Sequence, residues 1–348
     1  MKRIKLRKKN QINKSGNNYL FLILSLVFLF ISLLIITYKV INPSNNLSSN
    51  SAKAAPPTII SGQPTQSGQW SFMVALYDKK GFWTSLSTTD GYLIHNLPNV
   101  FRCGGTLIGP HWVLTAAHCL YAGKRINTKP RNNMKIERIL TPSEIGVAVG
   151  FYDIQKIIPK DYLNTRFLEI DSIYQPDDYA YGASHYKYPD FGSTNFLNSN
   201  DIALLKLKKD VYFPTISLTD NFSITLPKNS IYDIGWGITK TGFFASVSNV
   251  LNGVWLTINS LPIADSIALQ KYYHLFMSAG SKSQGSGCSG DSGGPALAYN
   301  NNIWVQVGIN SSSPDSSCSL TYFTNVTGYL SWIYKISGIK INQGTFQR

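Results

Sequence analysis

The run Gly290-Asp291-Ser292-Gly293-Gly294-Pro295 sets a serine between glycine-containing turns, with an acid directly before it. Such a turn presents a hydroxyl at a surface and aims nearby N–H groups at one point, which suits attack on an acyl group. Serine is a poor nucleophile at neutral pH, so this chemistry needs a general base and a group that fixes the tautomer of that base. Two other positions offer them. His118, one of five histidines, lies in Thr115-Ala116-Ala117-His118-Cys119, where small residues pack around the ring and the adjacent cysteine can staple it. A general base requires that kind of fixed position. Asp201 opens the apolar stretch Ile202-Ala203-Leu204-Leu205, and an acid heading a buried strand is expensive without a partner. Taken singly, His118 reads as a structural histidine and Asp201 as a strand-initiating turn residue. Together, in the order His, Asp, Ser, they match one of the chain orders of the Ser-His-Asp constellation.

The elements that must position these residues are short. From Ile59 onward, apolar runs rich in β-branched and aromatic residues alternate with Gly, Asn, Pro and Ser clusters. The runs are Phe72–Tyr77, Thr106–Ile108, Ile145–Val149, Ile202–Leu207, Val254–Ile258 and Trp304–Ile309. This pattern predicts an all-β sandwich or barrel and argues against βαβ units. One helix is predicted near the end, from Gly328 to Ile336, with Leu330, Ile333 and Tyr334 at helical spacing. Two polar, aromatic stretches, about 78–101 and 175–200, read as surface insertions. Loop decoration is the plain reading, and a substrate-contacting rim is the sharper one.

The bulk numbers narrow the field. The 348 residues are 43% hydrophobic and only 14% charged, so a large core is affordable by composition. The net charge of +14 is not a nucleic-acid signature, because residues 1–58 hold nine Lys and Arg and no acid, which leaves +5 for the rest. No basic block remains to line a phosphate track. Residues 1–18 form a basic tail, and the apolar run Tyr19 to Tyr38 within 19–41 is long enough to cross a membrane as a helix. The basic flank stays in the cytosol and leaves the following chain on the extracytoplasmic side. The alternative is a cleaved signal sequence and export, although the Ala52-x-Ala54 pair lies well beyond the run. Residues 42–58, rich in Asn, Ser, Ala and Pro, read as a linker or propeptide, and 59–348 as the catalytic domain. Cys103, Cys119, Cys288 and Cys318 are an even set, which fits disulfides in an oxidising compartment, with three pairings open. The local pairing closes loops around the two most motif-like regions; the zinc alternative lacks any Cys-x-x-Cys spacing.

The folded part resembles the trypsin/chymotrypsin-like serine peptidases from about Ile59 to Ile336. The resemblance rests on several strings in family order: Ile59-Ile60-Ser61-Gly62, Cys103-Gly104-Gly105-Thr106-Leu107-Ile108, Trp112-Val113-Leu114-Thr115-Ala116-Ala117-His118-Cys119, Asp201-Ile202-Ala203-Leu204-Leu205, Gly235-Trp236-Gly237, Cys288-Ser289-Gly290-Asp291-Ser292-Gly293-Gly294-Pro295 and Trp332-Ile333. It implies two six-stranded antiparallel β-barrels with a cleft between them, a short C-terminal helix, and the disulfide pairs Cys103–Cys119 and Cys288–Cys318. It further implies Ser292 as nucleophile, His118 as general base and then acid, and Asp201 as the orienting acid. The N–H groups of Gly290 and Ser292 would form the oxyanion hole. Asp291 would pair with an α-amino group freed by cleavage before Ile59, so the precursor reads as a zymogen. Thr58 before the cut departs from the usual Lys or Arg, so the cutting enzyme is not trypsin-like in its preference for a basic residue.

The same resemblance locates the specificity pocket. Ser286 falls at its floor, where trypsin-like enzymes carry Asp, which argues against a basic P1 residue. Thr321 falls on a wall usually held by Gly, and its branched side chain would shorten the pocket toward small or medium apolar P1 residues. Ser311-Ser312-Ser313 aligns with the strand that binds substrate backbone by β-addition, with the family's usual aromatic and Gly missing at Ser312 and Ser313. Ser278 stands where many members have a disulfide cysteine. The loop after Val149 lacks the acids of calcium-binding members, so no calcium and no other metal or cofactor is expected. The chain thus reads as a monomeric serine endopeptidase acting on protein or peptide substrates, tied to the membrane through its N-terminal helix. The alternatives are a catalytically silent binding module on the same fold and a stalked, receptor-like anchor.

Overall fold

A computed structural model describes residues 60, 62–86, 92–126, 133–156, 158–159, 163–177, 179, 200–239, 246–260, 273–314 and 317–341. All of them belong to the compact unit Pro56–Arg348. The basic tail, the apolar run at 19–41, the linker at 42–58 and Ile59 itself lie outside the described residues. Among the described residues no helix is long and apolar enough to cross a membrane.

Six strands close a first barrel: β1 (Met73–Asp78), β2 (Phe101–Gly109), β3 (Trp112–Thr115), β4 (Ile145–Val149), β5 (Phe167–Tyr174) and β6 (Ala203–Leu207). Their order around the barrel is β5-β6-β3-β2-β1-β4, all antiparallel. Leu76, Leu107, Ile145 and Ile170 share the face that fills the interior, while Met73 and Leu114 are buried on the opposite face. Burying one such side chain stabilises by about 1.5–3 kcal/mol. Gly146 on β4 makes room for its neighbour: a Cβ there would fall 2.1 Å from the ring of Tyr77 on β1.

The second sheet follows the path β8-β7-β10-β11-β12-β9, with β7 (Ser230–Gly235), β8 (Asn252–Thr257), β9 (Phe276–Ala279), β10 (Pro295–Asn300), β11 (Ile303–Ser312) and β12 (Thr321–Asn325). The expected six-stranded barrel is corrected here. The sheet counts eight strands, because Gln63–Pro64 pairs along the start of β8 and Ser217–Leu218 runs parallel to β11. Gln63–Pro64 lies along the start of β8, and at the other end of that edge β8 meets β9 at the single bridge Ile258–Ala279, just before Gly280 turns the chain away at φ 89°.

The six apolar runs read from the sequence fall on β1, β2, β4, β6, β8 and β11. At the C-terminal end, one turn of 3-10 helix (Val326–Tyr329) leads into α1 (Leu330–Ser337). Gly338, at φ 68°, closes it by donating its N–H to Tyr334 O at 2.8 Å. Leu330 and Ile333 are buried, whereas Tyr334 is 56% exposed and lies off the apolar stripe. The stretch at 78–101 is not a bare loop: Thr84–Leu86 and Tyr92–His95 pair, Ile158–Pro159 adds a third strand, and His95 and Leu97 are buried. Of 175–200, only residues 175–177, 179 and 200 are described. Both disulfides form as the resemblance implied, Cys103–Cys119 and Cys288–Cys318.

Candidate active site

His118 follows β3 on a single 3-10 turn, Ala117–Leu120. Ala116 and Ala117 are buried, so no bulk separates the turn from the barrel, and the Cys119–Cys103 disulfide ties it to β2. Arg102 braces the far end: its guanidinium donates to the Tyr121 carbonyl at 3.1 Å and to Asp78 at 2.8 Å. Asp201, at the head of β6, holds His118 at two points. Its Oδ1 accepts the His118 backbone N–H at 2.8 Å, and its Oδ2 lies 2.8 Å from His118 Nδ1. Ser311 Oγ donates to the same Oδ2 at 2.5 Å, and Thr324 Oγ1 donates to the Asp201 carbonyl at 2.8 Å.

The electrostatics follow from burial and contact. Asp201 is fully buried, which by itself pushes its carboxyl up, but the His118 charge and the hydrogen bonds from His118 and Ser311 hold it below the usual range. For His118 the balance runs the other way. Burial lowers its basicity and Asp201 raises it, and the net position is above the ordinary imidazole value.

The Ser292 turn packs against the same region. Gly104 N–H on β2 donates to Ser292 O at 2.8 Å, Gly293 N–H donates to Asn310 O at 2.8 Å, and Asn310 N–H donates to Gly294 O at 2.8 Å. Gly293 is at φ +76°, and a Cβ there would lie 2.4 Å from Thr115 Oγ1, 2.5 Å from Gly104 O and 3.2 Å from Cys119 Sγ. The turn therefore passes close to the disulfide that carries the histidine; His118 Nε2 is 3.7 Å from Cys119 Sγ. Gly290 is also left-handed, at φ +97°. Neither Gly290 N–H nor Ser292 N–H donates to an acceptor among the described residues, and no hydrogen bond there joins Ser292 Oγ to His118.

The remaining expected site residues surround the segment 286–288. Ser286 is buried, donates its hydroxyl to Cys318 O, and bridges Ile60. Thr321 is buried at the start of β12 and donates to Gly287 O at 3.2 Å. Ser313 donates to Leu320 O at 2.8 Å, and Ser278 lies buried in β9. Asp291 is buried, with Oδ1 on Gly237 N–H at 2.7 Å and Oδ2 on Cys288 N–H at 2.9 Å; burial pushes its carboxyl up to about 7. The sequence reading missed the bond from the Ser311 hydroxyl to Asp201, the backbone clasp by Asn310, and the buried Asp233 on β7. Asp233 was findable: an acid inside an apolar strand is the signal that singled out Asp201.

The known proteins that this chain resembles agree with one another. The Trypsin family model matches residues 59–333. Chymotrypsin-like elastase family member 1 of Homo sapiens is 28% identical over 244 residues, covering 67% of this chain and 80% of that protein. Serine protease 28 of Mus musculus is 24% identical over 307 residues, covering 82% of this chain and 90% of that protein. Complement C1r-A subcomponent of Mus musculus is 27% identical over 297 residues, covering 80% of this chain and 34% of that protein. Given a family match over most of its length, on a barrel and sheet that carry a buried Asp hydrogen-bonded to His118 near a serine turn, the chain belongs to the Trypsin family and is a serine endopeptidase.

Proposed function

We propose that Ser292 is the nucleophile, His118 the general base and then acid, and Asp201 the group that fixes the imidazole. The observation that carries this reading is the two-point grip of Asp201 on His118 through the main chain and Nδ1, which leaves Nε2 as the ring nitrogen that Asp201 does not engage. Ser292 Oγ attacks the scissile carbonyl carbon and passes its proton to His118 Nε2. The oxyanion is taken by the N–H groups of Gly290 and Ser292, which no described residue engages. The imidazolium, stabilised by Asp201, gives the proton to the leaving amine. Water then repeats the sequence on the acyl ester and restores the serine.

Substrates are proteins or peptides. The neutral Ser286 floor and the Thr321 wall favour small or medium apolar P1 residues over Lys or Arg, and Ser311 to Ser313 line up the substrate backbone. In this reading the precursor is a monomer anchored by residues 19–41, and cleavage before Ile59 supplies the amino group that Asp291 pairs with. The two disulfides fit an extracytoplasmic location.

A fluorophosphonate probe tests the assignment on protein whose chain begins at Ile59. Ser292 is expected to be labelled in the native state, and neither after denaturation nor in Ser292→Ala. Native protein that stays unlabelled overturns it. A peptide library separates the specificity claim: cleavage confined to Arg or Lys would refute the pocket reading and leave the catalytic one standing.

A further inference from the structure

The folded part carries a net +5, and that excess is not spread out. Residues 121–139 hold six Lys and Arg and one Glu, whereas the rest of 59–348 holds seventeen basic and seventeen acidic residues. The whole excess therefore belongs to one stretch, which corrects the reading that no basic block remains beyond residue 58. That stretch is built on a hairpin. Tyr121–Ile126 pairs antiparallel with Asn133–Ile139, in a register that sets Lys124 opposite Lys135 and Ala122 opposite Arg138. Between those pairs the register slips by one residue, and the residue passed over is Glu137, the single acid. Directly opposed residues share a face of a hairpin. One face therefore carries Lys124, Lys135 and Arg138 with Ala122, Ile126 and Asn133, and the other carries Tyr121, Met134, Ile136 and Ile139 with Gly123 and Arg125. Arg138 is answered already, since its guanidinium donates to Glu144 at 2.7 Å and 2.5 Å. Two lysines set directly opposite each other destabilise a hairpin, and no acid among the paired positions of that face offsets them. An anion supplied from outside would.

The hairpin grows from the turn that holds the base. Tyr121 follows Leu120, the last residue of the turn Ala117–Leu120, and Leu140 N–H donates to Leu120 O at 2.7 Å, so both ends of the hairpin are stitched to that turn. The Arg102 guanidinium donates to Cys119 O at 3.4 Å and to Tyr121 O at 3.1 Å. Gln175 Nε2 donates to the Tyr121 hydroxyl at 2.8 Å, and the Tyr179 ring lies 5.6 Å from that of Tyr121. The root of the hairpin is thus fixed relative to His118. In acyl transfer the imidazolium hands its proton to the leaving amine, so the leaving half of a substrate begins beside this turn. At a strand rise of about 3.3 Å per residue, Lys124 stands roughly 13 Å along the hairpin from Leu120. An extended substrate covers that length in about four residues.

We propose that this hairpin is a subsite for acidic side chains on the leaving-group half of the substrate, with Lys124 and Lys135 as its cations. The enzyme then prefers Asp or Glu about three to five residues past the scissile bond. This rests on the catalytic reading given above and adds to it a second determinant of specificity, separate from the Ser286 and Thr321 pocket. A free polyanion would be served by a basic face anywhere on the molecule, whereas here the charge excess sits on the element that directly follows the base.

The test uses the full chain processed before Ile59 and a peptide library in which the P1 residue is held constant. Asp or Glu about three to five positions into the leaving half is expected to raise kcat/KM at least about threefold over Asn or Gln. The ratio should fall toward one when ionic strength is raised about tenfold. With Lys124→Glu and Lys135→Glu together, the preference is expected to invert and favour Lys over Gln at the same positions. A structural lesion lowers all rates and does not reverse a preference. If the parent cleaves the library without an acidic preference, or shows one only on the acyl half, the proposal falls and the catalytic reading stands. If no peptide is cleaved and a fluorophosphonate leaves Ser292 unlabelled, the catalytic reading itself falls. Should the double variant not fold, the parent decides alone, and an acidic preference indifferent to salt overturns the proposal. Salt-sensitive retention of the parent on a sulfated polysaccharide column, lost in the double variant and accompanied by a flat peptide ratio, would assign the hairpin to a polyanion and overturn the substrate subsite.

Discussion

Asp201 does three things at once for His118: it fixes the main chain through Oδ1, fixes the ring through Oδ2, and answers the charge that the ring gains as a base. Because its net effect is to raise His118 above the ordinary 6.5, kcat/KM should rise with pH to a midpoint above that value, since only the neutral ring accepts a proton. The stability sign is opposite. A raised imidazole stabilises the fold fully below the unfolded value and ceases to do so once pH passes the folded one. Asp201→Asn keeps the shape but removes the charge, so the midpoint should fall and kcat should drop on the order of 10⁴-fold. Steady-state rates across pH check both, and a midpoint unchanged by the substitution would deny Asp201 its electrostatic part. The residues behind this prediction were legible as types and order. The partner of Ser311 was not, because a hydrogen bond spanning 110 positions leaves no local pattern.

At the scale of the element, the serine turn works by intrusion. Gly293 enters a space bounded by Thr115, Gly104 and Cys119, so it carries two constraints, a left-handed backbone and no room for a side chain. Gly68 separates them, since at φ +82° it has the same backbone demand with open space around it. Gly68→Ala should lose about 1–2 kcal/mol and keep full activity. Gly293→Ala should lose more and be inactive, because relieving the clash shifts Ser292 away from His118. Urea unfolding with activity on each variant checks this, and equal losses with activity retained in both would show that the turn is not wedged. The strands themselves were readable because six apolar runs of β-branched and aromatic residues are strong local signals. The added pairing of Gln63–Pro64 with the edge of β8 was not, since it joins positions almost 190 residues apart. Tyr334 was misplaced for a related reason: helical spacing fixes which residues share a face, while the packing of α1 decides where the edge of that face lies.

Over the whole molecule, charge and cysteine placement divide the chain in two. The first 58 residues carry most of the excess positive charge, and all four cysteines come after them. Both disulfides close within the folded unit, across 16 and 30 residues, so no covalent link other than the peptide chain joins that unit to what precedes it. In the proposed reading a cut before Ile59 would therefore act twice, supplying the α-amino group for Asp291 and severing the one covalent link to residues 1–58. Thr58 as the residue before the cut suits the small or medium apolar pocket inferred from Ser286 and Thr321, which makes the enzyme a candidate for its own processing. Full-length chain expressed with its leader should then yield a domain that begins at Ile59 and leaves the membrane fraction in an alkaline wash, while Ser292→Ala should stay uncut and sediment with the membranes. Amino-terminal sequencing of both fractions checks the outcome. A mature terminus elsewhere would remove the processing site, and a processed domain that still sediments would mean that a contact beyond the linker holds it.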